Sequence, residues 1–94
     1  MVSRAGYPGF LETVTEQRLR AAILRMTHER GPSKSICPSD AARAVDEENW
    51  RDLMDQARDV ARDLAKAGEV VITQGDDVVD PDATWRGPIR IRAR

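Results

Sequence analysis

Residues 46–68 read DEENWRDLMDQARDVARDLAKAG and decide the fold, because they predict one long amphipathic helix. Their apolar positions recur at three- and four-residue spacing, which places them on a single buried face. These positions are Trp50, Leu53, Met54, Ala57, Val60, Ala61 and Leu64. Asp46 is suited to cap the first turn, and Gly68 is suited to end the helix in a left-handed conformation.

Residues 69–80 follow at once and read EVVITQGDDVVD, which predicts a β-hairpin. The pair Gly75-Asp76 fits a two-residue type II′ turn, in which the first central residue needs a positive φ. Val70 and Ile72 alternate onto the same face of the first strand, so we expect both to be buried.

A first helix is predicted well before this stretch, from about Val14 to Glu29. Thr13 and Glu16 occupy the two positions of a capping box at its start. Gly31-Pro32 ends it, because glycine favours the left-handed helix terminus and proline cannot continue the helix.

A second, shorter helix is predicted to begin after Cys37. Pro38 is suited to the first helical position, and the helix ends by Val45 or Asp46. The link before it, Lys34-Ser35-Ile36, is predicted to be a minimal strand that turns its isoleucine inward and pairs with the hairpin. A short turn then leads into the third helix, which is the outline of a helix-turn-helix.

This order of elements predicts an α+β fold, mainly α, of the winged helix-turn-helix type: three helices with a small antiparallel β-hairpin wing. Residues 1–11 are expected to form a flexible N-terminal arm, and residues 12–94 a single domain. A final strand is expected to turn Ile89 and Ile91 inward and the intervening arginines outward. The predicted core comprises Leu19, Ile23, Met26, Ile36, Ala41, Val45, Leu53, Ala57, Val60, Leu64, Val70 and Ile72.

Size and composition are those of a soluble globular chain. The 94 residues suffice for one domain, and an aromatic content of 4% leaves aliphatic side chains to fill the core. No apolar run is long enough to span a bilayer, and residues 1–10 lack the apolar segment of a signal peptide. We therefore expect a cytoplasmic protein without a membrane partner. The single cysteine, Cys37, excludes an internal disulfide.

Charge is unevenly distributed along the chain, although the net charge is only −1. Both ends are basic, whereas residues 37–82, which hold the third helix and the hairpin, are strongly acidic. Because DNA binding depends on neutralising phosphates, such a helix is poorly suited to the major groove. Cations elsewhere either form a separate basic face or pair with the excess carboxylates. The candidate contacts to a nucleic acid or another partner are Arg18, Arg25, Lys34, Arg51, Arg58, Arg86, Arg90 and Arg92.

The two tryptophans are candidate interface anchors, because tryptophan is enriched at binding hot spots. Trp50 is in phase with the apolar stripe of the third helix, so we expect it to be buried. Trp85 lies in a predicted loop, where it either covers the edge of the core or is exposed, and it is the candidate interface aromatic.

No catalytic, cofactor or metal site is predicted. Cys37 precedes a helix N-terminus, where a thiolate is stabilised, but a small buried core residue is the favoured interpretation. His28 has no second ligand at metal-binding spacing. The adjacent acids Glu47-Glu48 and Asp76-Asp77 point apart and form no acid–base pair.

Several short stretches resemble a known family. They are ILR at residues 23–25, GPSKSICPS at 31–39, WR at 50–51, VDP at 79–81 and RGPIR at 86–90. In these stretches the chain resembles the small bacterial domains of unknown function grouped as DUF3253. The resemblance implies a winged-helix fold and brings no activity, ligand or catalytic residue with it.

The sequence therefore predicts a non-enzymatic winged-helix binding module and leaves two classes of partner open. One is nucleic acid, DNA in particular, in a regulatory role. The alternative is a protein–protein interaction or assembly module that binds no nucleic acid. The sequence does not indicate an oligomeric state.

Overall fold

The computed structural model describes residues 12–94, so the predicted arm at residues 1–11 lies outside the described residues. The helices are α1 (Val14–Arg30), α2 (Pro38–Val45) and α3 (Met54–Lys66), and a 3₁₀ segment (Trp50–Leu53) precedes α3. The strands are β1 (Ser35–Ile36), β2 (Val70–Gln74), β3 (Asp77–Val78) and β4 (Arg90–Ala93). The predicted α+β, mainly α class is confirmed.

The capping box predicted for α1 is confirmed. The Thr13 hydroxyl accepts the Glu16 backbone N–H at 3.1 Å, and the Glu16 carboxylate accepts the Thr13 N–H at 3.0 Å. Two N–H groups that a helix start leaves without partners are satisfied in this way. At the other end Gly31 has a φ of 80°, which ends the helix as the Gly-Pro pair predicts.

The start of α3 differs from the sequence prediction, because the helix begins at Met54 and not directly after Asp46. Asp46 has an extended backbone, and its carboxylate accepts the N–H groups of Glu48 and Asn49, both at 3.1 Å. The Asn49 backbone N–H, followed by its side-chain amide, lowers the pKa of Asp46. Asp46 therefore caps a separate turn at residues 46–49, not α3 itself. The 3₁₀ segment follows this turn and leads into α3.

The end of α3 is as predicted. Gly68 has a φ of 80°, and its N–H donates to the Ala65 carbonyl at 3.0 Å. The next N–H, of Glu69, donates to the Leu64 carbonyl at 2.9 Å. These two bonds form a Schellman motif, which turns the chain directly from α3 into β2.

The strand order is β1-β4-β2-β3, and each neighbouring pair is antiparallel. The prediction that β1 pairs with the hairpin is wrong, because β4 lies between them. Ile91 of β4 is opposite Ile36 on one side and Ile72 on the other. The longest pairing of the sheet is therefore β2 with β4, and residues 75–89 connect these two strands.

The predicted tight turn lies within this connection. Thr73 pairs with Val78 and Gln74 with Asp77, which leaves Gly75-Asp76 as the two-residue turn. Gly75 has a φ of 59°, as the first central position of a type II′ turn requires. The strand after it, β3, has only two residues and forms the outer edge of the sheet.

The core lies between the three helices and one face of the sheet. Met26, Val45 and Leu53, three of the predicted members, are only partly buried at its edge. The side chains that fill it are Leu19, Ala22, Ile23, Ile36, Ala41, Ala42, Ala57, Val60, Ala61, Leu64, Val70, Ile72, Trp85, Ile89 and Ile91. The inward orientation predicted for Ile36, Ile89 and Ile91 is confirmed.

The exposed position considered for Trp85 is wrong, and the burial predicted for Trp50 is only partial. Trp85 is only 8% exposed and belongs to the core, so it does not serve as an exposed anchor. Its indole N–H donates to the Asp80 carbonyl at 3.0 Å, which satisfies the polar atom of a buried ring. Trp50 is half-buried instead, because the 3₁₀ segment that carries it leaves the register of α3.

Within residues 12–94, no helix is both long enough and apolar enough to cross a membrane.

The position of Ile91 gives a first testable prediction. Ile91→Val should lower the free energy of unfolding by about 0.5–1.5 kcal/mol, because it deletes a methylene from a fully buried side chain. Val78→Ala removes more atoms but from a side chain that is 63% exposed, and should cost less than about 0.5 kcal/mol. Urea unfolding of both variants measures the difference. Equal costs would contradict the central place of β4.

Candidate functional site

The solvent side of α3 is acidic, as the sequence predicts. Asp55, Asp59 and Asp63 are all exposed and recur at four-residue spacing. Among the described residues, none of these acids forms an ion pair with a neighbouring arginine. The arginines of α3, Arg58 and Arg62, instead donate hydrogen bonds to backbone carbonyls.

Arg58 and Arg62 hold the connection between β2 and β4 against α3. Arg58 donates to the carbonyls of Trp85 at 3.4 Å and Gly87 at 3.2 Å. Arg62 donates to the carbonyl of Ala83 at 2.8 Å and also to that of Pro81. We call these two arginines and the carbonyls they bind the loop clamp.

The ring of Trp85 completes the loop clamp. The guanidinium carbon of Arg62 lies 4.1 Å from the ring centroid, and that of Arg58 lies 5.9 Å from it. Such stacking adds a cation–π attraction to the hydrogen bonds. Arg58, a candidate partner contact in the sequence, is therefore half-buried and engaged within the domain.

The candidate cations of α1 lie in a different place. Arg18 and Arg25 line a shallow groove between α1 and α2, whose floor is formed by Ala21, Ala22, Ala44 and Val45. Arg25 also pairs with Glu29 at 3.6 Å, an exposed contact that contributes little. The predicted convergence of these arginines with the C-terminal ones is not observed, since the C-terminal arginines line another cleft.

The outer face of the sheet brings the C-terminal cations together with hydroxyl groups. Directly paired residues of antiparallel strands project to the same face. Arg92 pairs with Ser35 on one side and Val71 on the other, and Arg90 pairs with Thr73. We call this face, with Ser35, Thr73, Arg90 and Arg92, the basic sheet face.

Arg90 is fixed in place by β1 and the residue that follows it. Its Nε donates to the Ser35 hydroxyl at 2.9 Å, and one terminal nitrogen donates to the Ser35 carbonyl at 3.1 Å. The other terminal nitrogen lies 2.7 Å from the Cys37 sulfur. The Ser35 carbonyl also accepts from Arg30 at 3.3 Å, so a second cation lies at this edge of the sheet.

Arg92 differs from Arg90 in having no such anchor. Its side chain makes no hydrogen bond or ion pair with any residue in the 12–94 range. It lines a cleft of about 190 Å³ together with Arg90, Ser33, Ser35, Thr73, Gly75 and Asp76. The cleft therefore combines two guanidinium groups, three hydroxyl groups and one carboxylate.

Cys37 is half-buried at the start of α2, where its backbone N–H donates to the Asp40 carboxylate at 2.9 Å. In the described part of the chain, no three His, Cys, Asp or Glu side chains lie together so as to hold a metal ion.

A family model for a protein of unknown function, DUF3253, matches residues 16–94. The chain belongs to the DUF3253 family. The resemblance noted in the sequence is thereby confirmed. No curated protein matches the chain. The basic sheet face lies entirely within the residues that match the DUF3253 model.

Three candidate contacts of this DUF3253 domain lie outside the loop clamp, the α1–α2 groove and the basic sheet face: Lys34, Arg51 and Arg86. Lys34 and Arg86 are exposed, Lys34 beside the cleft and Arg86 in the connection after β3. Arg51 is exposed with its guanidinium carbon 4.5 Å from the ring centroid of Trp50. The expectation that the cations pair mostly with carboxylates is wrong for Arg58 and Arg90, which bind carbonyl oxygens.

Sequence reasoning missed several residues of these sites. Arg43 lies 4.3 Å from the Trp50 ring centroid on the opposite helix, and Arg62 anchors the loop clamp. Thr73, Ser33 and Ser35 line the cleft. The alternation of β2 placed Thr73 on the outer face, but only the pairing with β4 shows that it lies beside two arginines.

The loop clamp gives a second testable prediction. Arg62→Met should lower the free energy of unfolding by about 1.5–3 kcal/mol, because hydrogen bonds to a charged group are lost. Trypsin should then cleave after Arg86 about tenfold faster, since the connection is no longer held. Mass spectrometry of the fragments identifies this cut.

Lys66→Met is the matched control, one turn further along α3. Lys66 contacts the same connection only through an exposed ion pair with Asp82 at 2.8 Å, worth less than about 1 kcal/mol. Equal cleavage rates for both variants would show that the loop clamp does not hold the connection.

Proposed function

We propose that this DUF3253 domain is a non-enzymatic winged-helix module that binds nucleic acid through its basic sheet face. The observation that carries the proposal is the side-by-side placement of Arg90 and Arg92 on the outer face of β4. Phosphate neutralisation by such cations supplies most of the affinity of non-specific nucleic-acid binding.

The order of elements supports the winged-helix part of the proposal. Three helices and a strand precede the pair β2 and β4, and β4 pairs with both β1 and β2. In this assignment β2 and β4 form the wing, and residues 75–89 are the wing loop. The loop clamp folds that wing loop back onto α3.

The distribution of charge favours the sheet over α3 as the contact surface. The arginines of α3 are occupied by the loop clamp, and the exposed positions between them carry aspartates. A duplex laid along α3 would therefore meet carboxylates, which repel phosphates. The basic sheet face lies on the side of the sheet away from the helices, where Arg92 is free to contact a phosphate.

A nucleic-acid partner fits a cytoplasmic location. The proposal needs no cofactor or metal, because cations and hydroxyls alone contact phosphates.

The third prediction tests whether a duplex binds the basic sheet face or α3. Arg92→Gln should weaken binding to a labelled random-sequence duplex about tenfold and reduce the salt slope of log K by about 1. Arg51→Gln removes the same charge near the start of α3 and should leave both quantities nearly unchanged. Fluorescence anisotropy between about 50 and 200 mM salt measures them.

Absence of wild-type binding at the lowest salt would remove the nucleic-acid proposal altogether. A larger loss of duplex affinity for Arg51→Gln than for Arg92→Gln would show that the duplex contacts the third helix and not the sheet.

A protein-interaction module is the second candidate, and the surroundings of Trp50 favour it. Trp50 is half-buried, and the guanidinium carbons of Arg43 on α2 and Arg51 on the 3₁₀ segment lie 4.3 and 4.5 Å from its ring centroid. Tryptophan and arginine are the residue types most enriched at binding hot spots. The positive charge of the cluster fits an acidic segment of a partner protein.

The fourth prediction separates this candidate from the first. A photo-crosslinker placed at Arg43 should capture a protein in a cell lysate, and Trp50→Ala should abolish the capture. Arg92→Gln should leave it intact, because that side chain lies on the sheet. Capture that persists in Trp50→Ala would eliminate the tryptophan as an anchor.

A further inference from the structure

Thr73 is a buried residue whose hydroxyl is accessible from the cleft of the basic sheet face. The residue is only 5% exposed, yet its side chain makes no hydrogen bond to any of residues 12–94. The other buried threonine, Thr27, behaves in the usual way and donates to the Ile23 carbonyl at 2.8 Å. The Thr73 oxygen is not one of the buried side-chain atoms that lack a partner, so solvent in the cleft reaches it.

The cleft of the basic sheet face is the space that this hydroxyl reaches. Thr73 lines it, directly between the turn at Gly75 and the two arginines of β4. Its hydroxyl is therefore placed to bond a molecule in the cleft, and it can donate a hydrogen bond as well as accept one.

The donors around Thr73 define the chemistry of that molecule. Arg90 is held rigid by three contacts and still has unused N–H groups among its five. The side chain of Arg92 has no partner in the described range and can turn toward the same space. Two neighbouring guanidinium groups, with hydroxyl groups beside them, can donate hydrogen bonds to several oxygens of one tetrahedral phosphate.

We propose that the cleft formed by Thr73, Arg90, Arg92, Ser33 and Ser35 is a discrete binding site for one phosphate group. Arg90 is the fixed cation, Arg92 closes on the ligand, and the Thr73 hydroxyl gains the partner it lacks. This inference rests on the proposed function only for the source of the phosphate, which is either a nucleic-acid strand or free phosphate.

Asp76 modifies the affinity of this site. Its carboxylate lines the same cleft from the exposed tip of the β2–β3 turn and repels a fully ionised phosphate. The site therefore favours the less charged form of a phosphate, such as a diester or a singly protonated monoester. Asp76→Asn should tighten binding for the same reason.

The fifth prediction uses inorganic phosphate as the probe and amide NMR shifts as the readout. At constant ionic strength, phosphate should cause saturating shifts at Ser35, Thr73 and Arg92, whereas chloride should not. Thr73→Val, which keeps the shape and removes the hydroxyl, should weaken binding at least fivefold. Thr73→Ser keeps the hydroxyl and should retain most of the affinity.

A measurement of stability separates a binding role from a structural one. Because the Thr73 hydroxyl has no partner, Thr73→Val should unfold at the same urea concentration as the wild type or a higher one. A clear loss of stability would show that the hydroxyl is satisfied inside the fold, and it would overturn the site.

Parallel titrations with a labelled duplex distinguish failure of the site from failure of the proposed function. If the duplex displaces bound phosphate, both the phosphate site and the proposed function are supported. Phosphate binding without duplex binding keeps the site, with free phosphate as its ligand, and removes the proposed function. Duplex binding that Thr73→Val leaves unchanged, with no shifts on adding phosphate, removes the site and keeps the function.

Discussion

The pairing of β4 between β1 and β2 is the constraint on which the rest of the domain depends. Ile91 is fully buried and is opposite Ile36 and Ile72 at the same level of the sheet. This row of isoleucines forms the floor on which the helices pack. Without β4, β1 would have no partner within the described sheet, and β2 would retain only the short pairing with β3.

The same strand also determines where the charge lies. Because side chains alternate along a strand, burying Ile89 and Ile91 forces Arg90 and Arg92 onto the opposite face. A slip of one residue in this register would bury both cations and expose both isoleucines. Burial of Ile89 and Ile91 in the core therefore fixes the strand register, and the register in turn fixes the positions of Arg90 and Arg92 on the basic sheet face.

The sequence predicted the features that depend on local signals. The α1 capping box, the glycine that ends α3 and the turn at Gly75 follow from residue types at short spacing, and all three are observed. What it could not predict depends on distant partners. Trp85 looked exposed in its loop because the arginines that cover it lie one turn apart on α3. The cleft was missed because Thr73 and Arg92 meet only through strand pairing.

Pairing between β1 and β4 joins segments that are far apart in the sequence, with Ser35 opposite Arg92. Contacts of such long sequence separation form late in folding, because a large loop must close first. Because the chain is synthesised from its N-terminus, all three helices are made before β4. Until β4 joins β1 and β2, the sheet cannot close over the apolar faces of the helices, and chaperones can bind those faces.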